Sequence, residues 1–90
     1  MKIYIAGKIT GDQNYAVKFA EKAGLLTGCG YTVLSPTILP EDMSQGDYLR
    51  ICFAMIDAAD VVFFFPDWVE SEGARLERKY CEYTGKFILN

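Results

Sequence analysis

Short apolar runs alternate with longer stretches in which apolar and charged residues recur at helical spacing. Lys2 to Ala6 (Lys-Ile-Tyr-Ile-Ala) reads as a first strand, Tyr31 to Leu34 as a second and Lys86 to Leu89 as the last. Val61 to Phe65 is apolar without alternation, as in a strand covered on both faces. Pro66 has no amide hydrogen and ends that run. Between the strands the spacing predicts helices over about Asn14 to Thr27, Asp47 to Ala58 and Ser71 to Thr84. Asp12, Gln13 or Asn14 can cap the first helix and Ser71 the third. Gly28-Cys29-Gly30 and Gly85 are suited to close the first and third.

Each helix then has an expected inward face. In the first it is Ala16, Phe19, Ala20, Ala23 and Leu26, with Lys18, Glu21 and Lys22 outward. In the second it is Tyr48, Ile51, Cys52, Met55 and Ala59, with Arg50, Phe53 and Asp57 outward. Leu25 and Phe53 therefore fall among charged positions, which suggests a homodimer or higher homo-oligomer. In the third helix Glu72, Arg75, Arg78, Lys79 and Glu82 share the outer arc, and Gly73, Ala74, Leu76, Tyr80 and Cys81 the inner one. Glu77 is the one carboxylate on the inner arc. A carboxylate facing a core has a partner or a task, so Glu77 is either a structural ion pair or a functional group.

The order of elements, β-α-β-α-β-α-β, argues for a single α/β domain over residues 1–90. The expected form is a three-layer αβα sandwich on a four-stranded parallel sheet, Rossmann- or flavodoxin-like, with strand order 2-1-3-4. Ligands of such sheets bind beyond the carboxyl ends of the strands, near the switch between strands one and three. Three segments meet there: Gly7 to Gly11, Ser35 to Pro40, and Pro66 to Glu77.

Composition removes several chemistries. With 90 residues and a formal charge of −3, the chain is too small for two cores and too acidic for a polymeric nucleic-acid surface. The absence of histidine removes His-based triads and His metal ligands. Cys29, Cys52 and Cys81 have no zinc spacing, so no metal is expected and reduced thiols in the cytoplasm are the default. No apolar run is long enough to span a membrane, and Met1 leads directly into a strand rather than a signal segment. Gly7-x-x-x-Gly11 is neither a dinucleotide fingerprint nor a P-loop, and no cofactor is expected.

What remains is one inward carboxylate beside two possible anion seats, the start of the Ser71 helix and the Gly7 to Gly11 turn. Such a carboxylate suits glycosyl chemistry, because it can stabilise and then capture an oxocarbenium-like carbon. Tyr4 could aim its phenol at Glu77 or serve only as a core aromatic. Trp68 and Asp67 fall at the cleft mouth, where Trp68 could stack on a base or cover the sheet edge. Pro36 lies on a connection that could line the cleft.

Met1 to Gly11, Ala59 to Val62 and Ser71 to Glu77 together resemble the nucleoside 2-deoxyribosyltransferase superfamily, and within it the small phage- and bacterium-type members called domain of unknown function 4406. The resemblance implies cleavage or transfer of the N-glycosidic bond of a 2'-deoxynucleoside or its 5'-monophosphate. It implies Glu77 as nucleophile, assisted by Tyr4. It places Gly7, Ser71 and Gly73 at the ligand, and Ser71, at the position that is a serine near the phosphate in monophosphate hydrolases, favours a 5'-phosphorylated substrate. Lys8, where many relatives have proline or serine, and Pro36, Asp67 and Trp68, from the reading of the cleft, complete the candidate substrate-binding residues. Cys52 stands where the family usually carries a catalytic-site aspartate. Two alternatives stay open: a nucleotide or nucleotide-sugar binding protein without turnover, and a structural domain in which Glu77 is tied to a residue such as Lys8.

Overall fold

In the computed structural model, which describes residues 1–89, the strands are β1 (Lys2–Ala6), β2 (Thr32–Leu34), β3 (Val61–Phe64) and β4 (Ile88–Leu89). The helices are α1 (Tyr15–Gly28), α2 (Gln45–Ala58) and α3 (Glu72–Thr84), and 3₁₀ turns span Pro36–Ile38 and Pro66–Glu70. The sheet is parallel throughout with order β2-β1-β3-β4. Ile3 pairs with Val33 on one side and Val61 on the other, and Tyr4 pairs with Leu34 and Val62. The αβα architecture and the strand order are those expected from the sequence.

Alternation along β1 and β3 sorts the core into two layers. Tyr4, Ala6, Val62 and Phe64 pack with Cys52, Ile56 and Ala59 from the α2 segment and Cys81 from α3. Ile3, Ile5, Val61 and Phe65 pack with Phe19 and Leu26 of α1. The chain therefore leaves β1 for one face of the sheet and leaves β3 for the other. A crevice opens beyond the carboxyl ends of these two neighbouring strands.

Local chemistry explains the element ends. Ser44 Oγ accepts from the Asp47 amide at 3.1 Å, so α2 starts at Gln45, two residues before the expected start at Asp47. Ser71 Oγ accepts from the Ala74 amide at 3.2 Å and starts α3. Gly85 adopts φ 76° and closes α3 in the left-handed conformation.

Three helix faces differ from expectation. In α1 only Phe19 and Leu26 are buried, whereas Ala16 and Ala20 are exposed. A single helix on its side of the sheet touches along a narrow ridge, and lysine stems cover the flanks. Lys22 Nζ lies 4.6 Å from the Phe63 ring centre, and Lys18 Nζ 5.1 Å from that of Phe65. In α2 Ile56 is buried and Ile51 exposed, while Phe53 stacks on Tyr80 of α3 with ring centres 4.2 Å apart. Because α2 meets both the sheet and α3, Phe53 is half-buried in an interhelical contact, while Leu25 is exposed. In α3 Arg78 is drawn inward from the polar arc, its guanidinium 4.8 Å from the Trp68 ring centre and 5.1 Å from that of Phe64.

One cluster ties the crevice walls together. Lys18 Nζ donates to Asp67 Oδ2 at 2.5 Å, to Asp12 Oδ2 at 2.7 Å and to the Lys8 carbonyl at 3.0 Å. Asp67 Oδ1 accepts from the Lys8 amide at 3.1 Å. The turn after β1 is thus clamped to the connection after β3. Gly7 makes the close approach possible, since a Cβ there would lie 2.8 Å from Phe65 Cδ2 and 2.9 Å from Phe65 Cβ. Gly7→Ala should therefore lower stability by about 1–3 kcal/mol through overpacking. Urea denaturation checks this, and an unchanged midpoint would mean that the turn moves away without cost.

Candidate active site

Tyr4 projects from the middle of β1 toward the α2–α3 layer, and Glu77 reaches the same point from the second turn of α3. The Tyr4 hydroxyl donates to Glu77 Oε2 at 2.5 Å. Tyr4 is fully buried and Glu77 is 6% exposed. Among the described residues Oε1 of Glu77 has no hydrogen-bond partner, yet it is not among the atoms sealed from solvent without one. It is therefore the oxygen that faces the crevice, whose wall Glu77 forms.

Burial pushes the Glu77 carboxyl up to about 7, and the Tyr4 hydrogen bond, which favours the charged form, pulls against that rise. Tyr4 is held well above the ordinary phenol value, first by burial and then by the charge of Glu77. Burial also pushes the Cys52 thiol up to about 12 and Cys81 up to about 11. Of these buried groups only Glu77 changes charge near neutral pH. The carboxylate has one oxygen fixed and one free, the arrangement needed to attack or stabilise an electron-poor carbon.

The crevice has a volume of about 390 Å³. Six of the residues singled out in the sequence line it: Tyr4, Gly7, Pro36, Ser71, Gly73 and Glu77. A Cβ on Gly73 would meet nothing within 4 Å, so the start of α3 is open there. Lys8, Asp67 and Trp68 are not among the lining residues. The Lys8 ammonium turns to Glu70 at 3.4 Å, so Lys8 is not the internal partner of Glu77 either. Asp67 is engaged by Lys18 and the Lys8 amide. Trp68 meets Phe64 edge-on and lies against Arg78, packing on the core as in the covering reading of that residue.

Further lining residues went unassigned in the sequence. Gln45, Tyr48 and Leu49 come from the first two turns of α2, Glu70 ends the 3₁₀ turn after β3 and Glu72 begins α3, while Cys52, which the family resemblance set at a catalytic-site position, lines the cleft beside them. The signal for the α2 group was available, because α2, like α3, begins beyond the carboxyl end of a strand. The cleft continues past Ile9, Pro36 and Tyr48 into a cavity of about 250 Å³ that also touches Leu39 and Met43. Two tyrosines brace that extension, Tyr15 donating to Glu41 at 2.5 Å and Tyr48 to the Pro36 carbonyl at 3.3 Å. Among the described residues no group of three or more Cys, Asp or Glu is placed to hold a metal ion, and no helix is long and apolar enough to cross a membrane.

The raised pKa has a thermodynamic consequence. Folding a group whose pKa rises from 4.5 to about 7 binds a proton in that window. The associated stability is full below pH 4.5, falls as pH rises and is lost above about 7. The ionised carboxylate thus costs about 3 kcal/mol at pH 8 relative to pH 4. Glu77→Gln should remove this dependence, so the variant gains on the wild-type chain by about that amount between the two pH values. Chemical denaturation at both checks it, and a constant difference would refute the desolvation of Glu77.

The family model described as "Domain of unknown function (DUF4406)" matches residues 1–90. No curated protein matches the chain. Among solved structures, a 2-desoxiribosyltransferase from Leishmania mexicana shares the fold with a TM-score of 0.75 and 23% sequence identity. The alignment covers 98% of this chain and 61% of that one, so the chain spans about three fifths of its structural neighbour. With its whole length matched by the family model and its parallel αβα sheet repeated in that neighbour, the chain belongs to the DUF4406 family.

Proposed function

We propose that the chain cleaves or transfers the N-glycosidic bond of a 2'-deoxynucleoside, with or without a 5'-phosphate, and that Glu77 is the nucleophile. The observation that carries this reading is the buried Tyr4–Glu77 pair, with Oε2 held by the phenol and Oε1 open to a cleft of about 390 Å³. The fold shared with the 2-desoxiribosyltransferase supports the same reading.

The chemistry follows from those two oxygens. As the C1'–N bond lengthens, its electron pair leaves with the base and C1' becomes cationic. Glu77 Oε1 lies on the cleft side and forms the new C1'–O bond. Tyr4 keeps the carboxylate in one rotamer and removes negative charge from the oxygen that does not react. Water, or a second base in transfer, then attacks C1' and releases Glu77 as a carboxylate. The departing base needs a proton. Cys52 lines the cleft, but its thiol, at about 12, is a weak donor, so the proton comes from water in the open cleft.

Cys52 also favours a second reading, a binder of nucleosides or nucleotides that does not turn them over. A chromatographic screen of deoxynucleosides and their monophosphates for released base separates the two. Release by the wild-type chain, reduced about 10³-fold or more in Glu77→Ala and Glu77→Gln, supports the enzyme. Retained turnover in both variants would remove Glu77 from the mechanism, and saturable binding without product would establish the binder.

The pH profile gives an independent check on the nucleophile. With Glu77 at about 7, kcat/KM should rise about tenfold per pH unit on the acid side and level off above neutrality. The Tyr4 hydrogen bond lowers the Glu77 pKa, so Tyr4→Phe should move the acid limb to higher pH. An unmoved limb would mean that another group sets it.

A further inference from the structure

We propose that the chain forms a two-fold dimer in which α1 of each copy covers the open half of the other copy's sheet. The contact lies across the sheet from Tyr4 and Glu77, so it stands apart from the proposed chemistry.

The two faces of the sheet are unequally covered. α2 and α3 close the face that carries Tyr4, Val62 and Phe64. On the other face the described residues supply α1 alone, which packs on Ile3, Ile5, Val61 and Phe65. The β3–β4 half of that face is left open. Leu89 pairs in register with Phe63, and Phe87 and Leu89 flank Ile88, which packs into the opposite layer. Phe63, Phe87 and Leu89 therefore form one apolar shelf, with Phe87 66% and Leu89 40% exposed. The cover that α1 gives Phe63 is the stem of Lys22, whose ammonium lies 4.6 Å from the ring centre.

The flank of α1 beside this shelf is not a solvated helix face. Val17 and Leu25 are 58% and 62% exposed. With Lys18, Glu21, Lys22 and Phe65 they line an open groove of about 490 Å³. At 100° per residue from the buried Phe19, Leu25 points sideways on the β3 flank and Val17 points away from the sheet.

A second copy fits this surface because a two-fold contact needs a patch that complements itself. A shelf without a helix and a helix with an apolar outer ridge lie side by side on one chain. A two-fold axis along α1 sets the two α1 helices parallel between the two sheets, each over the partner's shelf. Leu25 then meets the partner's Leu25, and Val17 faces the partner's shelf. The charges agree with this register. Glu21 and Lys22 lie on either side of the Leu25 seam, and among the described residues neither has an ion-pair partner. The axis brings each Glu21 to the partner's Lys22, as charges flanking the seam of parallel helix pairs do. Lys18 is also at the seam, but Asp12 and Asp67 already neutralise it, at 2.7 and 2.5 Å.

Sedimentation equilibrium on the full chain, from micromolar to submillimolar concentration, should show a dimer of the 10.1 kDa monomer. Leu25→Glu on the ridge and Phe87→Ser on the shelf should each raise the dimer Kd at least about tenfold, with circular dichroism showing the fold retained. Glu21→Lys should weaken the dimer too, and adding Lys22→Glu should recover part of the loss, because the double reversal keeps the reciprocal pair. On a Cys29→Ser background, Leu25→Cys should give a disulfide-linked dimer under mild oxidation, whereas Lys79→Cys on the outer arc of α3 should not. A chain that stays monomeric throughout overturns the inference. A dimer as strong in Leu25→Glu and Phe87→Ser as in the wild type also overturns it, since its contact lies elsewhere. Failure of position 25 to cross-link in a dimeric chain overturns the parallel arrangement.

Discussion

A single hydrogen bond between β1 and α3 organises the functional end of this molecule. Tyr4 and Glu77 are 73 residues apart in the chain, and their side chains meet in the core layer between the sheet and two helices. Burial alone favours the neutral acid. The phenol offsets part of that preference by donating to one oxygen. The outcome is a carboxyl poised near neutrality, in a position where an apolar residue would serve stability better. A charge buried at the expense of stability, with its free oxygen beside an open cleft, is the observation on which the proposed role of Glu77 rests.

The second constraint is the clamp formed by Lys18, Asp67 and the Lys8 amide. It joins the turns that follow β1 and β3, the two strands whose chains depart to opposite faces of the sheet. Without that link the crevice walls would be joined mainly through the strands beneath them. Gly7 belongs to the same device, because its missing side chain lets the turn lie against Phe65. Residues that look like ligand-binding groups in the sequence, Gly7, Lys8 and Asp67, therefore serve first to shape the cleft. Of the three, Gly7 alone also lines it.

The elements themselves were readable from local pattern. An apolar run stopped by Pro66, a cap at Ser71 and a glycine at position 85 specify strand, turn and helix through backbone chemistry within a few residues. Their order, with the handedness of parallel crossovers, then leaves few topologies, and the observed strand order is the natural one. Glu77 stood out for a similar reason, as the one charge on the apolar arc of its helix, whereas the residues left Tyr4 open between a partner of Glu77 and a core aromatic, and only the family resemblance paired the two.

Other features depended on partners that no local window contains. Phe53 faces outward on a wheel drawn for a helix with one neighbour, but α2 has two, and Tyr80 covers it. Lys18 reads as a solvated charge until Asp12, Asp67 and the Lys8 carbonyl converge on it. Trp68 and Arg78 found each other across a turn and a helix, which drew both from the cleft and the solvent into the packing around Phe64. Periodicity and capping act over one or two turns of chain, so the residues alone dictated the elements, their order and the odd carboxylate. Helix rotation and long side-chain reach are settled only when distant surfaces are pressed together. The packed structure therefore decided which charges are spent internally and which oxygen of Glu77 is free.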